Sequence, residues 1–472
     1  MTILIIRVIL FVLLLSSTQL FAETLEDRIS TLEKALKKQE QTIEEQRKLI
    51  EGLKAEVKHI QPPAQPPAQS PALPESTNAN EPTSTGEMKQ QVQELKKEVD
   101  RVVEAQTKNV PSVFNPAIGF VGETVLSYRS KGPSQTGSGR PGGFDAFQRS
   151  VELNASASVD PFAKACVVAN ASADASTGEA TLGIEEAALQ TESLPGNLTV
   201  KAGRFFGEFG RLAYIHDHEL PFVNRPLVLD QYIGGESRTD GVQINWLVPI
   251  EHYVSLTVGT GNQFGGDVPP NNVGDFRHPG GLNYWGRLSS YFDLTDDISL
   301  EPGFSGLWNP KTIDRGGSFA QSDGNTLTER QRCLAGADLT LSYKPLRDNQ
   351  FTSIIWGTEV LYSHNRYDVD SDSLESRRSI GSYGLYSYLA YKFHRQWSAG
   401  FLYGFVEDAR DNTAKTYEYS PFITWALSHW NQLRLQYTYT DHNATYGLQP
   451  DSAVYLQWAW IIGAHSHGWQ QR

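Results

Sequence analysis

The sequence predicts an all-β transmembrane barrel of about 16 antiparallel strands, preceded by an α-helical coiled-coil stalk. Three observations carry this. Segments beyond Pro111 alternate apolar and polar residues with a period of two. The links between them alternate between tight turns and long polar stretches, which sorts loop length by the end of the sheet. Residues 23–60 instead place apolar residues every 3.5 positions, a seam that only another helix can bury.

Composition narrows the remaining classes. The 472 residues include 54 Asp+Glu against 41 Lys+Arg, a formal charge of −13. That balance excludes a general nucleic-acid binder, which needs a basic footprint. Two cysteines cannot build a disulfide scaffold. Beyond the N-terminus no apolar run is long enough for a membrane helix. A barrel needs none, because only alternate side chains of its strands meet lipid.

The elements follow in chain order. Residues 1–22 have Arg7, an apolar run from Val8 to Leu15, and Ala22 before Glu23, the pattern of a secretory signal peptide. From Leu25 the seam steps by four and three through Ile29, Leu32, Leu36, Ile43, Ile50, Leu53 and Val57. Gln39 and Gln46 occupy d positions, where a polar residue fixes register at a cost in stability. Residues 61–86 are rich in proline and lack aromatics, as an extended spacer does. Residues 87–110 hold a second short heptad, Met88, Val92, Leu95, Val99 and Val102. Segment 23–110 is thus expected to be a periplasmic stalk that oligomerises the chain, with Ile at a and Leu at d leaning toward a dimer, the Gln at d leaving a trimer open, and peptidoglycan a conceivable contact.

The barrel occupies residues 111–472. Strands are expected at 116–128, 148–160, 162–171, 181–191, 197–206, 239–248, 252–260, 282–293, 297–308, 331–343, 351–363, 381–393, 396–406, 416–427, 431–440 and 452–463. In 432–440, Leu433, Leu435, Tyr437 and Tyr439 take one face and Gln432, Arg434, Gln436 and Thr438 the other. Tyr128, Trp308, Tyr343, Trp397, Trp425 and Trp430 fall at strand ends, where interfacial girdles need them. An even strand number returns both termini to the periplasm. A barrel of this size encloses water.

The longest link, 207–238, carries Leu212, Tyr214, Phe222, Val223, Leu227 and Leu229, apolar residues that a solvent-facing loop does not need. It is expected to fold into the lumen and form a constriction, with Arg211, Asp217, Glu219, Arg225 and Asp230 as lining charges. His216 and His218 flank Asp217 and offer imidazole and carboxylate donors for zinc, although alternating His in a loop is more often incidental. His465 and His467 form a second pair at the other end of the topology. Otherwise no cofactor is expected. Cys166 and Cys333 lie in separate strands and are read as thiols, with a disulfide as the alternative. No G-x-S-x-G motif appears, and no enzyme chemistry is expected.

The stretch 198-LTVKAGRFFGEFG-210 resembles the strand-and-glycine motif of the phosphate-selective porins, types O and P. Segment 184–228 looks more like a group of proteobacterial porin-like proteins loosely described as zinc-regulated receptors. The resemblance implies a 16-stranded trimeric pore whose third long loop is the constriction. It also implies that Lys201 and Arg204 line the pore. The chain departs from the phosphate-selective pattern in lacking a cluster of inward lysines. The expectation is an outer-membrane porin for small hydrophilic solutes or ions, in contact with lipid. The alternatives are a metal-uptake protein and an envelope tether acting through the stalk.

Overall fold

A computed structural model describes residues 116–463, except 137–138, 174–177, 267–278, 311–318, 321–325, 349–350, 371–375, 429 and 443–447. The expected signal segment, both coiled coils, the proline-rich spacer, and His465 and His467 lie outside the described residues.

Among the described residues seventeen strands form one antiparallel sheet. They are β1 (Ala117–Arg129), β2 (Gly143–Asp160), β3 (Ala163–Ala173), β4 (Ala180–Thr191), β5 (Leu198–Phe206), β6 (Arg238–Leu247), β7 (Tyr253–Gly261), β8 (Asn283–Asp293), β9 (Ile298–Asn309), β10 (Phe319–Ala320), β11 (Thr326–Tyr343), β12 (Ser353–Asp370), β13 (Ser376–His394), β14 (Trp397–Glu407), β15 (Lys415–Ser428), β16 (Asn431–His442) and β17 (Asp451–Gly463). Neighbours pair in chain order, except that β9 pairs with β11 across β10. The two-residue β10 is an arm of a loop that pairs only with β11. The other sixteen close into a barrel, because β1 pairs with β17 from Gly119↔Gly463 to Arg129↔Ala453. Closure gives every strand of the barrel a partner on both sides, so the sheet has no free edge strand among the described residues.

All sixteen expected strands are present. Four run further toward the long-loop end than their apolar alternation reaches: β2 begins at Gly143, β11 at Thr326 and β13 at Ser376, and β12 ends at Asp370. The extensions carry Arg366, Asp368, Arg377 and Arg378. There the outward face is charged while Leu327, Tyr367, Val369 and Ile380 pack together on the inner face, so the apolar-outward pattern stops while the hydrogen bonding does not.

Burial is inverted relative to a soluble protein. On β16, Leu435 and Tyr437 are exposed while Arg434 and Gln436 are buried. On β17, Val454, Leu456 and Trp458 are exposed while Gln457 is fully buried. The outward band is apolar and far larger than the patches a soluble monomer shows. Aromatic pairs mark its two ends. Trp397 and Trp425 stack at 5.6 Å near the short turns. Tyr128–Phe144 and Tyr362–Tyr383 meet at 4.9 and 4.7 Å toward the long loops. The two cysteines are free, Cys166 buried on the inner face and Cys333 exposed on the outer.

Candidate functional site

The segment 207–237 leaves β5, crosses the lumen and returns to β6. Its neck is closed by Gly207 N–H donating to Ser237 O at 2.9 Å and by the Ser237 hydroxyl donating to Gly207 O at 2.7 Å. Within the loop, Phe209, Phe222, Val228, Leu229 and Ile233 are fully buried and join a cluster with Leu361, Tyr386 and Leu402 of the wall and with Phe264, just past the end of β7. Phe222 sits edge-on to Tyr388 and Phe422, at 5.6 and 6.1 Å. Of the apolar loop residues singled out in the sequence, Leu212, Phe222, Val223 and Leu229 are buried.

A buried loop must satisfy its backbone, and polar side chains of the wall do this. Gly210 N–H donates to Ser305 Oγ at 2.9 Å, Arg211 N–H to Glu359 Oε2 at 3.2 Å, Val223 N–H to Gln436 Oε1 at 2.7 Å and Leu227 N–H to Glu418 Oε2 at 3.3 Å. From the opposite direction, Arg149 donates to Val223 O at 2.5 Å and Arg434 to Phe222 O at 3.1 Å. Gly210 has φ +59, and a Cβ there would lie 2.1 Å from Glu359 Oε1. Only glycine permits that approach.

The loop divides the interior into two vestibules. One, of about 690 Å³, opens among the short turns and is lined by Gln190, Thr199, Lys201, Arg211, Tyr253, Arg287 and Glu301. The other, of about 660 Å³, opens among the long loops. In the first, Lys201, Arg211 and Arg287 face Glu186, Glu208 and Glu301, so charge is balanced. In the second, Arg129, Arg140, Arg149, Arg225 and Lys415 face Asp217, Asp230, Asp408 and Glu418. Asp230 opens on water. The surrounding protein raises its carboxyl above the usual range, Arg225 opposes this, and Asp217 and Glu418 add to it.

Arg225 clamps the loop. Its guanidinium donates to Leu212 O at 2.5 Å, to Ile215 O at 2.6 Å and to Asp217 Oδ1 at 2.8 Å. Burial works to raise the Asp217 carboxyl, but Arg225 and Arg149 hold it below the usual carboxylate range.

Beside this clamp, His216 and His218 point at the wall. Both are buried. His216 Nδ1 lies 3.6 Å from Glu152 Oε2 on β2 and 3.7 Å from Glu185 Oε2 on β4. Its Nε2 lies 3.7 Å from Glu186 Oε1. His218 Nδ1 is 3.2 Å from Glu152 Oε1. Burial alone would lower the His216 imidazole, but Glu152, Glu186 and Glu236 outweigh it and push it up to about 10. His218 is raised against burial by the same Glu152.

The wall is shaped to deliver these carboxylates. In β4, Val168 pairs with Glu186 and Ala169 with Ile184, so Glu185 is an extra residue in a β-bulge. The bulge turns two consecutive side chains, Glu185 and Glu186, inward, and both are buried. Asn170 Nδ2 donates to Glu185 Oε2 at 3.3 Å. The β4–β5 ladder covers only Ala187↔Arg204 to Gln190↔Lys201. Above it β5 bends away into the loop, which brings His216 against the bulge.

The structure therefore brings together most of the residues chosen from sequence. Lys201 and Arg211 line the short-turn vestibule, and Asp217, Arg225 and Asp230 the long-loop one. His216 and His218 meet each other and the wall. Glu219 is exposed and lines neither vestibule. Arg204 departs from its expected pore-lining position. It pairs with Asp240 at 2.7 Å, on the face that carries Val242 and Ile244 outward. The cause is parity, because residues three apart on a strand face opposite sides. Lys201 points inward, 5.4 Å from the Phe205 ring. Glu152, Glu185, Glu186 and Glu236 were not singled out in the sequence. The adjacent Glu185-Glu186 pair, which breaks the alternation of its strand, was the available signal.

No family model matches the chain. An uncharacterized protein of Aquifex aeolicus (strain VF5) is 29% identical over 265 residues, which cover 54% of this chain and 53% of that one. The chain thus spans about half the length of the relative it matches. Among solved structures, the outer membrane channel DcaP of Acinetobacter baumannii is similar, with a TM-score of 0.51, 13% identity, and coverage of 74% of this chain and 97% of that one. The anion-selective porin of Comamonas acidovorans aligns with a TM-score of 0.49, 10% identity, and coverage of 74% and 99%. At these identities the DcaP likeness is one of fold.

Proposed function

We propose that the chain is an outer-membrane channel through which small hydrophilic solutes or ions diffuse passively, with loop 207–237 as its constriction. The observation that carries this reading is an apolar-outside, polar-inside closed barrel whose longest loop is bonded across the lumen between two open vestibules. Hydrocarbon offers the backbone no partners, and a closed sheet needs none from it. Assembly through residues 23–60, as a trimer, and contact of that segment with peptidoglycan belong to the same reading and are tested by cross-linking.

Planar-bilayer recording tests the channel. Purified protein is expected to insert in discrete conductance steps. The closed neck at Gly207 and Ser237 lets the loop be excised and its ends rejoined through a short glycine link. That variant is expected to conduct several-fold more per step. Folded protein that gives no steps would refute the channel, and an unchanged step in the excised variant would refute the constriction.

A further inference from the structure

We infer that Glu152, His216 and His218, with Glu185 beside them, form a site for a divalent transition-metal ion of the zinc class, which fastens the lumen loop to the barrel wall. The donors come from three separate elements, β2, the β4 bulge and the loop. One ligand atom each from Glu152, His216 and His218 lies within 4.8 Å of the others, and the same holds for Glu185, His216 and Glu236. Zinc takes bonds of about 2.0–2.2 Å to imidazole and carboxylate, so the edges of its tetrahedron are roughly 3.3 Å. The observed separations of 3.2, 3.6 and 3.7 Å bracket that edge. His218 meets Glu152 Oε1 and His216 meets Oε2 of the same carboxylate, and with one donor atom per residue the separations reach at most 4.8 Å, so side-chain rotation has to draw the donors in by up to about 1.5 Å.

Three further features fit a metal. Two imidazoles with two carboxylates neutralise a dication, which suits a buried pocket where Glu152, Glu185 and Glu186 all come within 3.7 Å of His216. Glu186 lies on Nε2 of His216, the nitrogen opposite the one that faces Glu152 and Glu185. That is the arrangement in which an outer carboxylate orients a metal-bound imidazole. The bulge exists where it is needed, since without it Glu185 and Glu186 would face opposite sides of the sheet. The two histidines come from the loop and the carboxylates from the wall, so the ion would act as a staple rather than as cargo.

The test uses the full chain folded in detergent, stripped with chelator, then titrated with cobalt(II) as a spectroscopic probe and zinc in competition. The expected result is one ion per chain and the intense visible absorption of four-coordinate cobalt. His216→Ala and His218→Ala are expected to weaken zinc by more than the roughly 10–100-fold that loss of an outer partner costs, and Glu186→Gln to fall within that range. The tail variant His465→Ala/His467→Ala is expected to bind as wild type. Wild type that shows no cobalt band, or that binds no more tightly than His216→Ala/His218→Ala, would overturn the site. Binding lost with the tail pair would also overturn it. Because the cobalt band of wild type decides alone, a variant that fails to fold leaves the test intact. Stoichiometry is measured without ion flow, so a failed channel would not disturb it.

Discussion

Replacing Arg225 by methionine should unlatch the constriction while leaving the barrel in place. The substitution keeps the length of the stem and removes every donor of the guanidinium. Three acceptors lose it: Leu212 O, Ile215 O and Asp217 Oδ1. The Asp217 side chain is 39% exposed and can turn to water, so its share is discounted. The two carbonyls cannot turn, and each buried acceptor left without its charged donor costs about 1–3 kcal/mol. The sum is about 3 kcal/mol, at the lower edge of the roughly 3–5 kcal/mol measured when a buried ion pair loses one partner. At 1.4 kcal/mol per decade, loop opening becomes about 100-fold more frequent. Hydrogen exchange reads this at amides bonded within the loop, such as Ile233 N–H to Leu229 O and Ser237 N–H to Ala213 O. These should exchange about 100-fold faster, while amides of the β1–β17 ladder keep their rates. Loop amides within threefold of wild type would refute the clamp.

Phe222→Ala removes a fully buried ring from between Tyr388 and Phe422 and should destabilise the docked loop by about 3–5 kcal/mol; noisier and larger single-channel currents would register it, and steady wild-type currents would count against it. Lys201→Glu should shift the reversal potential in a salt gradient toward cations, whereas Arg204→Gln, on the outer face, should leave it unchanged. A shift of equal size in both would show that the inward and outward assignments of β5 are wrong. Asp230 has a carboxyl raised by its surroundings and tempered by Arg225 and Arg149, with Asp217 and Glu418 adding negative charge. It is neutral over a wider pH range than an ordinary aspartate and gains charge as pH rises, so anion preference should decline from pH 5 to 9. Asp230→Asn should flatten that decline, and an identical profile in the variant would refute the assignment.

Much of this architecture was legible because the barrel writes a strict code. A strand that meets lipid on one side and polar surroundings on the other must alternate, so Leu435 and Tyr437 outside and Arg434 and Gln436 inside could be read residue by residue. The code fell silent where lipid ends, which is why β11 to β13 extend beyond their expected bounds. Loop 207–238 betrayed its inward fold through apolar residues with no business in water. Arg204 was misplaced because a motif was carried over as a unit, although strand parity separates it from Lys201. The carboxylates facing His216 could not be found by spacing. Glu152 lies 64 positions from His216 in the chain, and inside a regular strand it is one more inward polar residue.

That ambiguity has a physical root. Period-two polarity states only that a side chain meets something polar, and water or a folded-in backbone serves equally well. Ser305, Glu359, Glu418 and Gln436 all sit where a pore would put hydrophilic lining, yet each accepts a backbone N–H of the loop. Their positions around β9, β12, β15 and β16 trace the path of the loop across the lumen. The wall is therefore a template as well as a lining. The side chains that keep lipid-side and water-side faces apart also fix where the loop crosses, so a change at Gln436 or Glu359 alters the lumen by moving the loop before it alters it by changing charge.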